Sequence, residues 1–495
     1  MMSEIDDLLK SLGFTTTGSK SSSGGHSQEL VDSASSRGAT EAHSRSTKSA
    51  PLLQAKGMPA KPKPAAIPEG WSRTGRFMPI APDTMADAGL YPNEVSDLLL
   101  KSIALKGIET GYNLARSAGM KFPLIELVLR QLKVERLVSY RNSSTGGDYF
   151  YELTDEGRDR ARSLAAQNSY QGTAPVPLAQ YIESVKAQAI AGRKPPLSAI
   201  RAAFNDLQVE EDLVSNLGQA IHSGRGMFLY GPAGNGKTSL AERITRSFGD
   251  TIWIPRTITA SGEIIRLFDP NRHKPAQLAG DDPELVDGRW IQIERPTIIA
   301  GGELRMENLE VTYIQRAGVG EAPLQMKANC GTLLIDDFGR QRMSIDELLN
   351  RWIVPLEQRY DYLHLESGRS IQVPFDELII FSTNLQPRDL VDEAFLRRIP
   401  YKIEVPNPTE ARFRNLFTTV AHQKGFYCEE EMVDYLIDVH YHRKGRTFRF
   451  CHPRDLLCQM ENRCTLHERE LVVTPDAIDE AVANYFAIMC DEACK

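Results

Sequence analysis

One segment of the chain constrains the fold more than any other. A short apolar run at residues 227–230 leads into Gly231-Pro-Ala-Gly-Asn-Gly-Lys-Thr238, and residues 239–248 follow with a helical pattern. This is G-x-x-x-x-G-K-[ST] in its strand–loop–helix context. Glycines let backbone N–H groups approach phosphate oxygens, and the dipole of the following helix attracts anions. The segment predicts a phosphate-binding loop with the following contact residues: Gly231, Pro232, Ala233, Gly234, Asn235, Gly236, Lys237, Thr238 and Ser239.

A second apolar strand, residues 332–335, ends in two adjacent carboxylates, Asp336 and Asp337. Ligands of α/β sheets bind at the carboxyl ends of the strands, so these side chains are expected beside the loop. We expect Lys237 to reach the β- and γ-phosphates of a nucleotide, and Thr238 and Asp336 to hold Mg²⁺. Asp337 is expected to orient or activate the attacking water.

Three further polar positions are candidates for the same site. A third apolar strand, residues 378–381, runs into Ser-Thr-Asn384, which would point an amide at the γ-phosphate and the water. The adjacent Arg397 and Arg398 are candidates for an arginine finger, which stabilises charge on the transferring phosphoryl group. Arg454, in a C-terminal helical region, would reach the nucleotide from a lid.

The ordered set GPAGNGKT, LLIDDFG, FSTN, Leu-Arg-Arg and Pro-Arg resembles an AAA+ ATPase over residues 201–495. In that family these elements are Walker A, Walker B, sensor 1, the arginine finger and sensor 2. The resemblance implies ATP and Mg²⁺ as ligands, ATPase activity and a homo-oligomer, most often a hexameric ring. Many members carry Asp-Glu at Walker B, whereas this chain has Asp336-Asp337, as some replication initiators and helicase loaders do. The shorter carboxylate predicts slow hydrolysis.

The resemblance also implies the fold class: an α/β P-loop AAA+ core with a parallel sheet and a C-terminal helical lid. Other patterns within the core support this fold class. Residues 344–360 carry one apolar helical face, and residues 363–375 alternate around Ser367-Gly368 as a hairpin does. Such a hairpin before sensor 1 resembles one AAA+ branch with protein-remodelling and DNA-motor members. Residues 269–329 are expected to form a β-rich insertion. There Trp290 and Tyr313 are either substrate contacts or, as we favour, part of the core.

Upstream, residues 71–168 are predicted to form a winged-helix domain, since three helices are followed by a hairpin and a last helix. Between residues 93 and 160 the chain has ten Lys and Arg against ten Asp and Glu, so the basic footprint of a DNA-reading domain is absent. A local patch of Lys121, Arg130, Lys133 and Arg136 keeps DNA binding open. A protein-interaction role is the alternative that we favour.

The remaining segments complete the predicted organisation. Residues 1–14 carry Ile5, Leu8, Leu9 and Leu12 at helical spacing, which fits either a frayed helix or a docking peptide. Residues 15–70 have the composition of a disordered linker. Residues 169–199 are read as a connector, 200–405 as the AAA+ core and 406–495 as a helical lid.

Composition excludes several classes of protein. At 495 residues, 41% hydrophobic and 25% charged, the chain is neither wholly disordered nor a disulfide scaffold. The acidic N-terminus does not resemble a secretory signal and no apolar run could span a bilayer, so we expect a cytoplasmic protein without membrane insertion. Six of the seven cysteines lie in the last third near several histidines, but without Cys-x-x-Cys pairs, so free thiols are favoured over zinc.

The strings Glu321-Ala-Pro-Leu-Gln-Met-Lys-Ala-Asn329 and Asn350-Arg-Trp-Ile-Val-Pro-Leu-Glu357 resemble a bacterial group described as ATPases with chaperone activity, associated with Flp pilus assembly. This resemblance implies a protein client, such as a pilus or secretion assembly. The favoured hypothesis is an oligomeric ATPase that remodels protein complexes. The alternatives are a DNA-associated initiator or loader and a nucleotide switch with negligible hydrolysis.

Overall fold

The computed structural model describes residues 77–143, 147–207, 209–249, 251–276, 285–314 and 317–487. The chain divides into two units, Met1–Lys61 and Pro62–Lys495, and every described residue belongs to the second. The peptide predicted at residues 1–14 and the linker predicted at 15–70 therefore lie outside the described residues.

The first part of the described chain contains the three helices and the hairpin that the sequence predicts. Its elements are α1 (Met85–Ala88), α2 (Pro92–Lys106), β1 (Ile108–Thr110), α3 (Gly111–Ala118), α4 (Phe122–Val134), β2 (Val138–Ser143), β3 (Tyr149–Leu153) and α5 (Asp155–Gln167). The strand β1 was not foreseen; it pairs antiparallel with β3 to give the sheet order β1-β3-β2. α5 begins where Thr154 caps it, because the Thr154 hydroxyl accepts the Gly157 N–H. Assignment of this segment as a winged helix stays a prediction.

The middle of the chain has mixed α/β structure. Its first elements are β4 (Val176–Pro177), α6 (Leu178–Gln188), α7 (Leu197–Ala203), α8 (Glu211–Ser223), β5 (Met227–Tyr230), α9 (Lys237–Arg246), β6 (Thr251–Pro255), β7 (Thr257–Ala260), β8 (Glu263–Arg266), β9 (Trp290–Glu294) and β10 (Thr297–Ala300). A 3-10 turn (Met306–Leu309) precedes the second group: β11 (Thr312–Tyr313), β12 (Val319–Glu321), α10 (Leu324–Ala328), β13 (Thr332–Ile335), α11 (Ile345–Gln358), β14 (Tyr360–His364), β15 (Ser370–Pro374), β16 (Leu378–Thr383), α12 (Pro387–Leu390), α13 (Glu393–Leu396) and β17 (Tyr401–Glu404).

The central sheet has the order β10-β13-β16-β5-β17, and all its strand pairs are parallel. Both faces are covered, which is why its strands are continuous apolar runs. Met227 and Leu229 pack into one core with residues of α8 and α9, whereas Phe228 packs into the opposite core with Trp352 of α11. The predicted fold class, an α/β P-loop core with a parallel sheet and a C-terminal helical lid, is confirmed.

The β-rich part differs from the predicted insertion, residues 269–329, in where it begins and in one strand inside that range. β10 is the edge strand of the central sheet, and additional strands begin earlier, at Thr251. A second sheet of order β11-β12-β8-β7-β4 and an antiparallel ribbon, β6 with β9, make up the β-rich part. Pairing with distant strands decides which sheet each strand joins, because a four-residue apolar strand has the same sequence pattern in either sheet.

The predicted connector, residues 169–199, also differs from expectation. It contributes β4 to the second sheet, and its helix α6 buries Tyr181 against that sheet. Trp290 is 3% exposed and the Tyr313 hydroxyl donates to Glu263, so both belong to packed structure rather than to an open substrate surface. The hairpin predicted at residues 363–375 is formed by β14 and β15.

The N-terminal helical part, which consists of α1 to α5 and β1 to β3, packs on the β-rich part through a buried contact. Arg289 and Asp287 form a salt bridge with both side chains at most 3% exposed, and Arg289 Nη1 donates to the Ala88 carbonyl. The backbones of Gly119 and Gly288 also touch. The hydrogen bond from Arg289 to Ala88 and the approach of Gly119 to Gly288 join the two parts. The Asp287 carboxylate belongs to the same part as Arg289, and it compensates the charge of the buried guanidinium that makes this hydrogen bond.

The C-terminal region, predicted as a lid, is helical and has its own core. It contains α14 (Glu410–Gln423), α15 (Glu430–Ile437), a π-helical turn (Asp438–His442), α16 (His452–Leu466) and α17 (Pro475–Tyr485). The five described cysteines are free thiols. Among the described residues, no group of three or more His, Cys, Asp and Glu side chains could hold a metal ion. In the same residues, no helix is both long and apolar enough to cross a membrane.

Candidate functional site

The loop between β5 and α9 adopts a backbone that only glycine accepts readily. Gly231, Gly234 and Gly236 have φ values of 138°, 83° and 78°. A Cβ at Gly231 would lie 2.4 Å from the Val405 carbonyl oxygen, so the loop passes directly over the end of β17. The glycines thus let the loop curl tightly ahead of the N-terminus of α9, and a helix N-terminus is suited to receive a phosphate group.

Lys237, the first residue of α9, holds its ammonium group at the centre of the site. Its Nζ donates to the Gly231 carbonyl at 2.9 Å, the Pro232 carbonyl at 3.1 Å and Asn384 Oδ1 at 2.8 Å. Burial lowers the pKa of Lys237, and the carboxylates of Asp336 and Asp337 oppose that shift. A buried cation with only neutral hydrogen-bond acceptors is well placed to receive a phosphate anion.

Thr238 and Asp336 meet at the end of β13. The Thr238 hydroxyl donates to Asp336 Oδ2 at 2.8 Å, and the Asp336 N–H is held by the Ala300 carbonyl at the end of β10. A hydroxyl and a carboxylate are the oxygen ligands that Mg²⁺ takes beside substrate phosphates. The two residues therefore fit the predicted cation, which would be held by Thr238 Oγ1 and Asp336.

Asp337 is exposed and has a positive φ of 49°, uncommon for a residue other than glycine. Its Oδ1 accepts from Asn384 Nδ2 at 3.5 Å, so the ends of β13 and β16 converge as the sequence predicts. Gln341, which sequence reasoning missed, donates to the backbone carbonyls of Asp336 and Asp337. It supports the turn that carries both carboxylates, and no sequence pattern predicts this role.

One cavity of about 550 Å³ is lined by residues 233–239 of the loop and α9 and by Asp336, Asp337 and Asn384. Gly231 and Pro232, predicted as contact residues, are not in this lining. The wall away from the phosphate loop is largely apolar and is formed by Leu207, Val209 and Leu213 of the core together with Leu416 and Val420 of the lid. Glu210 of the core and Arg412 of the lid join across it in a salt bridge of 3.1 Å. A cavity with an apolar end and a cationic, glycine-lined end suits a nucleotide, with its base against the aliphatic side chains.

The three candidate arginines have different surroundings. Arg454, in the first turn of α16, lines the cavity and is paired with Asp455. Neither Arg397 nor Arg398 is among the residues that line it. Arg398 donates to Glu357 at 2.6 Å, whereas Arg397 is exposed and has no side-chain hydrogen bond or ion pair in the described part of the chain.

A segment of the lid that sequence reasoning did not single out also contacts the loop. Arg449 Nη1 donates to the Ala233 carbonyl at 2.8 Å, and the Phe450 N–H donates to Asn235 Oδ1 at 3.4 Å. The Cys451 sulfur lies against Gly234, where an added Cβ would approach it to 2.4 Å. In the sequence, Arg449 is one of several basic residues in this region, with nothing to distinguish it.

Comparison with known proteins gives matches to parts of the chain. A family model described as a domain of unknown function, DUF8689, matches residues 409–484, which form most of the lid. No curated protein sequence matches the chain.

Several solved structures are similar over little more than half of the chain. NtrX from Brucella abortus in complex with ATP is 15% identical, with a TM-score of 0.36, covering 58% of this chain and 60% of NtrX. The RuvB Holliday junction branch migration motor of Thermotoga maritima is 13% identical, with a TM-score of 0.33, covering 58% of this chain and 73% of RuvB.

Proposed function

We propose that the chain binds and hydrolyses ATP with Mg²⁺, and that it works as an AAA+ type oligomer that remodels protein complexes. One observation carries the ATPase part of the proposal. Lys237 and Thr238 of the loop are hydrogen-bonded to Asn384 and Asp336, at the ends of two neighbouring parallel strands. This brings a phosphate-binding cation, a candidate Mg²⁺ ligand pair and a candidate water-orienting pair together in one cavity.

Each residue has a separate role in this proposal. The backbone N–H groups of the loop and Lys237 bind the phosphates, and Thr238 with Asp336 holds Mg²⁺. When bound, the metal ion neutralises charge on the phosphoryl oxygens. Asp337 and Asn384, which contact each other, orient the attacking water, and Arg454 contacts the nucleotide from the lid.

An arginine finger supplied by a neighbouring subunit completes the proposed site. Arg397 is exposed, has no partner in the described residues and does not line its own chain's cavity. These properties support a role in trans, with the nucleotide between subunits of a ring. A hexamer is the ring size that the AAA+ resemblance implies.

Charge pairing in the N-terminal helical part favours a protein client over DNA. Seven of its described basic side chains form salt bridges with carboxylates of the same part: Lys106, Lys121, Arg130, Arg141, Arg158, Arg160 and Arg162. Lys133 lies over the Tyr140 ring. On α4, the exposed face shows Leu127 and Val134, which are 64% and 77% exposed, around the neutralised Arg130. Cations that are paired with neighbouring carboxylates contribute less to binding a phosphate backbone than unpaired ones, whereas exposed aliphatic side chains suit a protein partner.

The client itself is proposed from resemblance alone, as a pilus or secretion assembly. Binding and hydrolysis of ATP would switch the ring between two states that differ in their affinity for that client.

The decisive experiment is light scattering in line with chromatography, on wild-type protein and on Asp337→Asn, with and without ATP. We expect an ATP-dependent ring that persists in Asp337→Asn, together with loss of phosphate release in that variant. A monomer under all conditions would refute the oligomeric ATPase and favour a nucleotide switch. Duplex-stimulated turnover that weakens steeply with salt would instead support a DNA-associated ATPase.

A further inference from the structure

We infer that Arg449 is a positioning residue of the phosphate loop: it fixes the Ala233 peptide group so that the loop's N–H groups face the phosphates. The inference rests on the proposed nucleotide site. It assigns to the lid a task separate from that of Arg454, because the lid segment that contains Arg449 would set the shape of the loop itself.

Three consecutive lid residues contact three consecutive loop residues. Arg449 binds the Ala233 carbonyl, the Phe450 N–H binds the Asn235 side chain, and the Cys451 sulfur packs on Gly234. A single hydrogen bond could be incidental, but a run of three contacts defines a docked segment. Phe450 and Cys451 line the cavity beside the loop, and Arg449 reaches the Ala233 carbonyl of the loop itself.

The segment that directly follows β17 holds the loop as well. Asn235 is 4% exposed, and its Nδ2 donates to the Pro406 carbonyl at 3.1 Å and to Asn407 Oδ1 at 2.9 Å. The loop is therefore held both by the start of the lid, next to β17, and by the lid residues Arg449, Phe450 and Cys451. Removing the lid contact frees Ala233 and Gly234, where glycine makes the backbone most mobile.

The consequence for binding follows from which peptide groups are involved. By holding the Ala233 carbonyl, Arg449 fixes the peptide group that joins Ala233 to Gly234. The Gly234 N–H points opposite to that carbonyl and is thereby kept available to an anion nest. Such a nest contacts the α- and β-phosphates, which ATP and ADP share. Loss of Arg449 is therefore expected to weaken the binding of ATP and of ADP by the same factor. Loss of a residue that contacts only the γ-phosphate would weaken the binding of ATP alone.

The test measures dissociation constants of ATP and ADP by calorimetry on the full chain, for wild type, Arg449→Ala, Arg449→Lys and Arg443→Ala. Arg443 is an exposed arginine of the same lid and serves as the matched control for the lost charge. For Arg449→Ala we expect both constants to rise about tenfold, the size of one charge-assisted hydrogen bond, with turnover at saturating ATP within about twofold of wild type. Arg449→Lys should recover part of the affinity, and Arg443→Ala should match wild type.

Several outcomes would overturn the inference. They are unchanged affinity in Arg449→Ala, loss confined to ATP with ADP unaffected, and an equal loss in Arg443→Ala. If wild type bound neither nucleotide, the proposed function would fail and this inference with it. Thermal unfolding of each variant identifies one that has lost its fold, and Arg449→Lys, which keeps the charge and most of the side chain, then carries the test.

Discussion

Replacing Arg397 and Arg398 by alanine, one at a time, separates an arginine that acts on a neighbouring subunit's nucleotide from one that supports its own fold. The two residues are adjacent, yet within the described part of the chain only Arg398 has an acidic partner. Its Nε donates to Glu357 Oε1 at 2.6 Å, and the two side chains are 18% and 45% exposed. Arg397 is exposed, without an ion pair in the described residues.

These surroundings set the expected magnitudes. Arg398→Ala removes a partly exposed ion pair and should lower the free energy of unfolding by about 0.5–1 kcal/mol, with turnover changed only a few-fold. Arg397→Ala should change the free energy of unfolding by less than about 0.5 kcal/mol. Because a finger stabilises only the transition state, the same variant should lose about 10³-fold in kcat.

The assay is phosphate release at saturating ATP, with urea unfolding of the same preparations. Mixing Arg397→Ala with Lys237→Ala subunits should restore part of the turnover, because one supplies an intact loop and the other an intact finger. The reasoning is refuted if Arg398→Ala abolishes turnover while Arg397→Ala retains it, or if mixed subunits of a confirmed ring show no rescue.

Three other perturbations test separate parts of the structure. Lys237→Ala should weaken ATP and ADP binding at least about 100-fold, since its ammonium is the buried cation of the site; calorimetry that finds wild-type affinity would contradict this assignment. Gly231→Ala should destabilise the core by about 2 kcal/mol in urea unfolding and weaken nucleotide binding, because its Cβ would meet the Val405 carbonyl at 2.4 Å. Glu377 is 1% exposed, and burial, with the nearby Asp376 carboxylate, raises its pKa well above the ordinary range. The folded state then binds a proton that the unfolded state releases, so stability falls as pH rises above about 4.5. Glu377→Gln should remove this loss of stability: the variant should be more stable than wild type at pH 8, and the two stabilities should be closer at pH 4. Parallel plots of stability against pH for the two proteins would contradict the raised pKa of Glu377.

The phosphate loop could be located from sequence because its chemistry is local. The glycines, Lys237 and Thr238 are neighbours in the chain, and the motif prescribes both their backbone and their contacts. Asp336 and Asn384 were also predictable, since apolar strands that end in polar residues place those residues at one sheet edge. The contacts of Lys237 with Asn384 and of Thr238 with Asp336 agree with this reasoning.

The errors concern elements whose identity depends on distant partners. The sequence pattern places Thr297–Ala300 in an insertion, although this strand pairs with Thr332–Ile335 in the central sheet. It likewise predicts a connector at residues 169–199, although Val176–Pro177 pairs with Thr257–Ala260 in the second sheet. Short strands carry too little periodicity to say which sheet they join, and that choice rests on packing across many residues.

By itself, the sequence determined that the chain has a parallel P-loop core and which side chains form the centre of its site, because those features depend on local motif and strand polarity. Only the tertiary structure decided which lid residues meet the loop, which arginine is left exposed and how the N-terminal helices rest on the β-rich part. Arg449 with Ala233 and Arg289 with Ala88 are contacts between residues about 200 positions apart. Their geometry follows from the packed arrangement of whole elements, which no local pattern encodes.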